Sequence, residues 1–366
     1  TAKKDYDHAI QLDSQDAFAY YGRGQTNQAL ALQTQAIADY TSAIQLYSDF
    51  SLAYFHRAEV YQATGYTPGA LQDYSRVIEL DPEYTDAYIN RGYIYYSTGK
   101  YDKAIQDYDR AIDLDPYAPL PYFNRGLVYQ DQGKLDDAIS DFNTAVGFAP
   151  DYDVAYSHLG DVYFDQGEWN KAARAYTNVI RIHPMAYDYI YFKRGLAYLE
   201  LDELDKAEED LTVAVRLAPA NSLFYVNRGW IYYLEEKYAE AEGDYTHALR
   251  LNPGDVYALV NRGLLYAVTG KAEEAAKDYI ELAQSPNSDA STALKAGITD
   301  LDNEIAKNPQ NPDLYAFRGY LKITQNDVSE AVADWQQVET LGGTLPPEFL
   351  KLSGPGLLQP TLTPTP

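Results

Sequence analysis

The feature that most constrains this chain is a sequence repeat with a period of 34 residues. The stretch 85–118 has the pattern of two amphipathic helices, separated by a tight turn and closed by Pro116. The same pattern returns 34 residues later, from Tyr122 to Pro150. A fixed period of this length predicts helix pairs that stack as a solenoid, because each pair buries its apolar faces only against its neighbours.

Prolines and glycines keep the register of the repeats. Both series step by 34 residues except for a single step of 35, which places one inserted residue in the loop near Met185–Tyr187. Proline cannot continue the preceding helix, and we expect the glycines to let the second helix pack close to the backbone of the first. The two series are Pro82, Pro116, Pro150, Pro184, Pro219, Pro253 and Gly92, Gly126, Gly160, Gly195, Gly229, Gly263.

The residues at the remaining positions carry a family resemblance. Tyr88, Gly92, Tyr95, Ala104 and Tyr108, followed by Ala111 and Pro116, resemble the tetratricopeptide repeat (TPR). The resemblance covers about residues 1–345. It implies an all-α fold, a right-handed α-α superhelix of stacked antiparallel helix pairs, and a function in binding other proteins.

The repeat pattern divides the chain into an ordered series of segments. Residues 1–16 match only the second helix of a repeat, 290–311 an unpaired helix, 312–345 a divergent ninth repeat, and 346–366 a Pro/Thr-rich tail. Because the chain starts in the middle of a repeat and without Met, we expect that a leader was removed or that this is a piece of something longer. The eight full repeats are 17–50, 51–84, 85–118, 119–152, 153–186, 188–221, 222–255 and 256–289.

Comparison of the repeats with one another predicts an ion pair. The position of Arg91 holds arginine and that of Asp107 holds aspartate in every repeat except the fifth, where they become Leu159 and Ala175 together. Because both are lost in the same repeat, we predict that they pair within a repeat, from helix to helix. The pairs would be Arg23–Asp39, Arg57–Asp73, Arg91–Asp107, Arg125–Asp141, Arg194–Asp210, Arg228–Asp244, Arg262–Asp278 and Arg318–Asp334.

Composition argues against several classes of function. The net charge of −25 disfavours nucleic acid and anionic membranes and favours basic partners, and no apolar run approaches the roughly 20 residues that span a bilayer. The chain has no cysteine, its five histidines lack metal-ligand spacing, and the Gly-Lys pairs at Gly99, Gly133 and Gly270 lack the rest of a phosphate loop. We therefore expect a non-enzymatic protein with no catalytic residue, metal or cofactor, and we interpret the Gly-Lys pairs as turns.

The candidate binding surface is the side of the first helices that is turned away from the second helices. In TPR proteins that side lines the concave groove, so the resemblance implies that an extended polypeptide segment binds there. A side-chain amide both donates and accepts, and could therefore bond a peptide backbone of any sequence, while aromatic rings supply contact area. The candidate residues are Asn90, Asn124, Asn227, Asn261, Tyr93, Tyr96, Phe123, Phe192, Trp230 and Tyr233.

The row of asparagines has gaps and a simpler interpretation. Other residue types hold the same position at Gly22, His56, His158, Lys193 and Phe317. The arrangement is similar to the asparagine ladder in the TPR superhelix of O-GlcNAc transferase, but the asparagines could instead only solvate the helices. Chaperone-type carboxylate binding is disfavoured, because Lys193 is one of few basic residues in the groove.

Three functions remain open on the sequence. The first is a non-catalytic scaffold that binds a protein or peptide segment in the groove. The second is a structural subunit that self-associates head to tail through unfinished solenoid ends into an extracellular filament, which would suit the Thr/Pro tail and the absence of cysteine. The third is the regulatory arm of a larger protein. An extracytoplasmic or secreted location is favoured over the cytoplasm.

Overall fold

The computed structural model describes residues 2–185, 187–347 and 349, and within these every regular element is an α-helix. The chain forms two compact units, residues 1–182 and 183–366. The first unit contains eleven helices in its described part. They are α1 (Ala2–Leu12), α2 (Ala17–Ala29), α3 (Gln33–Leu46), α4 (Ser51–Ala63), α5 (Thr67–Leu80), α6 (Thr85–Ser97), α7 (Tyr101–Leu114), α8 (Pro119–Asp131), α9 (Leu135–Phe148), α10 (Asp153–Asp165) and α11 (Trp169–Ile182).

The second unit contains nine helices in its described part. In both units consecutive helices pack as antiparallel pairs, and each pair packs on the next, which is the α-α solenoid predicted from the period. The nine helices are α12 (Asp188–Glu200), α13 (Leu204–Leu217), α14 (Ser222–Leu234), α15 (Tyr238–Leu251), α16 (Val256–Val268), α17 (Ala272–Gln284), α18 (Ala290–Lys307), α19 (Pro312–Thr324) and α20 (Val328–Thr340).

Where a first helix carries a glycine at the crossing, that glycine receives a large side chain from the second helix, and only α4 has alanine there, Ala58. A Cβ atom added at Gly92 would lie 2.7 Å from the Tyr108 ring, and one added at Gly229 would lie 2.8 Å from the Tyr245 ring. Both distances are shorter than van der Waals contact allows. The predicted close approach is therefore confirmed, and the tyrosine at this position is a core residue whose ring is fully buried.

The turn inside a repeat requires a left-handed residue. Gly99 has φ +71° and Gly133 φ +71°, and the following amide of Lys100 closes the turn on the Tyr95 carbonyl at 2.8 Å. The Gly-Lys pairs are thus turn residues, as predicted. At the same place Asp202 and Glu236 adopt φ +59° with a side chain present.

The carboxyl-terminal end departs from the regular pairing. Helix α18 has no partner of its own and packs against α16 and α19. Phe349, which the sequence analysis assigned to the tail, is buried and stacks on Tyr320 at a centroid distance of 4.0 Å. The rest of the Pro/Thr-rich segment, apart from residues 346 and 347, lies outside the described residues, as does residue 186 at the predicted insertion.

Candidate functional site

The predicted Arg–Asp pairs are confirmed in all eight repeats that carry both residues. In the second repeat Arg57 donates from Nε to Oδ2 of Asp73 at 2.7 Å and from Nη2 to Oδ1 at 2.8 Å. In the fifth repeat Leu159 and Ala175 fill the same space, each with 4% of its surface exposed. These charges therefore fix the geometry of a helix pair and are not available for a ligand. The other seven pairs follow the same pattern.

The arginine also contacts the preceding repeat, which the sequence analysis missed. Nη1 of Arg57 donates to Thr41 Oγ1 at 3.0 Å, and Nη1 of Arg318 donates to Asp302 at 2.6 Å. In each case the acceptor stands sixteen residues before the arginine, on the helix that precedes its own pair. The sequence did contain a signal for this contact, because a polar residue recurs sixteen residues before the arginine. These residues are Asp7, Thr41, Ser75, Asp109, Thr212, Thr246 and Asp302.

The opposite side of the first helices remains available, and we call it the open face. On α6, Gly92 faces the second helix through Tyr108, so Asp86, Asn90 and Tyr93 lie on the other side at helical spacing. Tyr93 has 48% of its surface exposed. The predicted binding residues belong to this face or border it, and the two units are described separately below.

The four asparagines have different surroundings. In the first unit Asn90 lines a cavity together with Tyr74, whose hydroxyl donates to Gln62 Oε1 at 3.0 Å, and Asn124 is buried with 8% of its surface exposed. In the second unit Asn227 donates from Nδ2 to the Leu223 carbonyl of its own helix at 2.8 Å, whereas Asn261 lines a cavity. Part of the amide hydrogen-bonding capacity is therefore used within the protein.

The histidines that interrupt the asparagine row also bond to neighbours. His56 Nδ1 lies 2.7 Å from Glu59 Oε2, and His158 Nδ1 lies 3.0 Å from Gln130 Oε1. Burial lowers the pKa of His158, whose ring packs against Phe123 and Phe142. The neutral ring is thus the form that suits this position.

The predicted aromatic residues divide into accessible and buried groups. Tyr93, Tyr96 and Trp230 keep exposed surface, whereas Phe123, Phe192 and Tyr233 are buried, with exposed fractions of 8%, 5% and 6%. Burial and a hydrogen bond to Asp131 raise the pKa of Tyr96 to about 12. Burial and a hydrogen bond to Glu304 raise the pKa of Tyr233. The buried three offer little surface to a ligand in this state of the molecule.

Phe123 and Phe192 occupy the same position of their repeats, and both are buried because they face along the stack. The Phe123 ring lies 5.0 Å from the ring of Tyr152, the residue just before α10 of the next repeat, and Phe192 lies 5.0 Å from Phe224 in the next first helix of its unit. Spacing within one repeat shows that such a residue points away from the second helix. It does not show that the neighbouring repeat covers it.

An exposed row of apolar side chains was missed by the sequence analysis. One helical turn before the asparagine position, seven of the eight repeats carry a large apolar residue with between 40% and 65% of its surface exposed, and Asp86 is the exception. The spacing places these residues on the open face, next to the amides. We call them the apolar row: Phe18, Leu52, Leu120, Val154, Tyr189, Leu223 and Tyr257.

Each unit has a cavity on its open face. In the first unit, Glu59, Gln62, Tyr74 and Asn90 line a cavity of about 280 Å³. In the second unit a cavity of about 420 Å³ lies between α12, α14, α16 and α18. Leu223 and Tyr257 of the apolar row line it together with Trp230.

The described residues contain neither a metal centre nor a membrane-spanning helix. No group of three or more His, Cys, Asp or Glu side chains in that part of the chain is arranged to hold a metal ion. No helix there combines the length and the apolar character required to cross a membrane.

Comparison with family models identifies the repeats independently. One model, described as TPR repeat, matches residues 66–99, 92–133, 129–167 and 160–202. Two models described as tetratricopeptide repeat match residues 189–221 and 222–255. Together the matches run without a gap over residues 66–255, which is more than half of the chain. No curated protein matches the sequence.

Several solved structures are similar to this chain. A tetratricopeptide repeat protein from Parabacteroides merdae is 21% identical, covers 73% of this chain and 96% of its own, and has a TM-score of 0.50. YrrB, a TPR protein described as having an unusual peptide-binding site, is 22% identical with a TM-score of 0.48 over 51% of this chain and 95% of its own. MamA is 26% identical with a TM-score of 0.43 over 46% of this chain and 91% of its own.

Proposed function

Because the chain belongs to the tetratricopeptide repeat family, whose members are protein-interaction scaffolds, we propose that it binds an extended polypeptide segment along its open face. The apolar row is the observation that carries this proposal. The core of the solenoid is complete without these side chains, yet a large apolar residue recurs at the same exposed position in seven repeats. Repeated exposure of apolar surface is typical of a binding surface.

The amides and rings beside the row complete such a surface. In the first unit Asn90 and Tyr93 lie three residues apart, and in the second unit Asn227 and Trp230 occupy the same two positions. An amide beside a partly exposed ring can hydrogen-bond a peptide backbone while the ring covers a side chain. The bound segment would contact the apolar row with its side chains and the amides with its main chain.

Variants of the apolar row test the proposal. Peptides that bind the full chain are first selected from a random library, and their affinity is then measured for Leu223→Ser with Tyr257→Ser, two residues of the apolar row in the second unit. We expect at least about tenfold weaker binding, because two apolar contacts of roughly 1 kcal/mol each are lost. The free energy of unfolding should change little, since both side chains are exposed.

Leu251→Ser is the matched control. Leu251 has 40% of its surface exposed, comparable to 45% for Leu223, but lies at the end of a second helix, off the open face. Its replacement should leave the affinity within about twofold. An equal loss of peptide affinity in Leu251→Ser and in the double variant would contradict the proposal.

Self-association is the second candidate function. At the beginning of the first unit α1 contributes no buried residue, and Leu12 is 76% and Phe18 65% exposed. Such an apolar surface suits contact with another copy of the chain. Light scattering over a concentration series tests it: growing mass that Leu12→Ser abolishes would support self-association, and a constant mass would exclude it at those concentrations.

A further inference from the structure

The unpaired helix α18 covers part of the open face of the second unit. A Cβ atom added at Gly297 would lie 2.5 Å from Cγ2 of Val260, so the two helices approach closely at this glycine. Leu264 is buried with 1% of its surface exposed, whereas Trp230 at the same position of the preceding repeat keeps exposed surface. Helix α18 therefore ends the exposed part of this face and forms one wall of the 420 Å³ cavity.

The cavity combines an apolar interior with two carboxylates. Leu199, Val226 and Trp230 supply apolar lining, Glu200 enters from α12 and Asp300 from α18. Among the residues that line this cavity, Glu200 and Asp300 are the two whose side chains are charged at neutral pH, and both are acidic. A positively charged head group on an apolar stem matches this arrangement.

Neither carboxylate has a cationic partner in the part of the chain that the structure describes. Asp300 and Glu200 form no ion pair with any residue that the structure describes, whereas Glu304 on the same helix pairs with Lys307 at 2.7 Å. Asp300 is half-buried, and burial together with the nearby Glu304 raises its pKa. A half-buried carboxylate without a cation is unfavourable for the free protein and becomes favourable when a cation arrives.

We propose that this cavity binds one lysine or arginine side chain of the polypeptide segment, with its methylene groups on Leu199, Val226 and Trp230 and its head group at Asp300 and Glu200. This inference rests on the proposed function and adds the charge of the ligand and the place where it is recognised. Asn227 and Asn261, which also line the cavity, are within reach of the main chain on either side of that residue.

The test selects peptides from a random phage-displayed library on the immobilised full chain. We expect the selected peptides to be enriched in lysine or arginine, and replacement of that residue by methionine to weaken binding. Asp300→Asn should weaken binding at least about tenfold. Glu240→Gln is the matched control, because it removes one exposed carboxylate outside the cavity, and it should change the affinity less than about twofold.

Stability gives a readout that does not depend on the ligand. Without peptide, Asp300→Asn should raise the urea midpoint of unfolding, because it removes a carboxylate that burial and Glu304 disfavour. If that variant does not fold, Glu200→Gln removes the other carboxylate of the cavity, which belongs to an exposed residue. Selected peptides without cationic enrichment, or binding unaffected by both variants, would overturn the inference and leave the proposed function standing. Failure to select any peptide would overturn both.

Discussion

The guanidinium of Arg91 contacts Asp107 of its own repeat and Ser75 of the preceding one. Nε and Nη2 donate to the two carboxylate oxygens at 2.8 and 2.7 Å, and Nη1 donates to Ser75 Oγ at 3.0 Å. The rings of Tyr88 and Tyr95 flank the same group, with centroids 5.8 and 5.9 Å from Cζ. One side chain thus fixes the angle within a helix pair and the register between two pairs.

Loss of the aspartate should cost different amounts in two adjacent repeats. Asp107→Ala leaves Arg91 with only a hydroxyl, whereas Asp141→Ala leaves Arg125 with a second carboxylate, Asp109. We expect a loss of unfolding free energy of roughly 3 kcal/mol for the first and about 1 kcal/mol less for the second. Urea unfolding of both variants measures the difference, and equal losses would contradict the role given to Asp109.

The fifth repeat predicts that removing both partners is milder than removing one. Leu159 and Ala175 show that an apolar pair fits the same space. Arg91→Leu with Asp107→Ala should therefore recover at least about 1 kcal/mol of the loss caused by Asp107→Ala alone, because no half-buried charge remains unpaired. A double variant that is less stable than Asp107→Ala alone would contradict this prediction, because it would show that an apolar pair cannot replace the ion pair.

A methyl group at the helix crossing should destabilise the fold. Gly229→Ala brings a Cβ to 2.8 Å from the Tyr245 ring, and we expect a loss of about 1 to 3 kcal/mol. Gly243 in the second helix of the same repeat has open space around it, so Gly243→Ala should instead stabilise by roughly 0.4 to 1 kcal/mol. Thermal unfolding of both variants should show shifts of opposite sign.

The left-handed turn position predicts a further pair of opposite effects. Gly99→Ala should destabilise by about 1 kcal/mol, since φ is +71° there. Glu236→Gly relieves strain at φ +59° and should stabilise, by about 0.5 kcal/mol after the greater freedom of glycine in the unfolded chain is subtracted. Chemical unfolding measures both, and a loss of stability in Glu236→Gly would contradict this interpretation of the turn.

Acid should destabilise the first unit through His158. Burial holds its pKa below that of the unfolded chain, which is about 6.5. Above that value both states are neutral. Below it the unfolded chain takes up a proton first, so the unfolding free energy falls until the lowered native pKa is passed. The equivalent position of the preceding repeat holds Asn124, so asparagine is a suitable replacement for His158. His158→Asn should remove this part of the pH dependence, as urea unfolding at several pH values would show.

The sequence alone was sufficient to predict the contacts that recur within each helix pair. Gly92 against Tyr108 and Arg91 against Asp107 follow from periodicity and from the joint change at Leu159 and Ala175. Contacts between pairs were harder to predict. Ser75 as a partner of Arg91 and the burial of Phe123 both depend on how neighbouring repeats are offset, which the pattern of a single repeat does not contain.

The role of α18 could not be predicted for a related reason. Its sequence resembles the end of a repeat, and only the packing of Gly297 on Val260 shows that it covers the open face. The exposure of Leu223 could have been anticipated, because a large apolar residue recurs at its position although the core positions are already accounted for.

The central claim, that the open face binds the polypeptide, can be tested with a photo-reactive residue at two positions of the first unit. Benzophenylalanine replaces Tyr93, which is 48% exposed on the open face, or Tyr117, which is 75% exposed between α7 and α8. Both replacements exchange one aromatic side chain for another. With a selected peptide bound, crosslinking should occur at position 93 and stay at background at position 117. Equal or stronger crosslinking at position 117 would contradict the account.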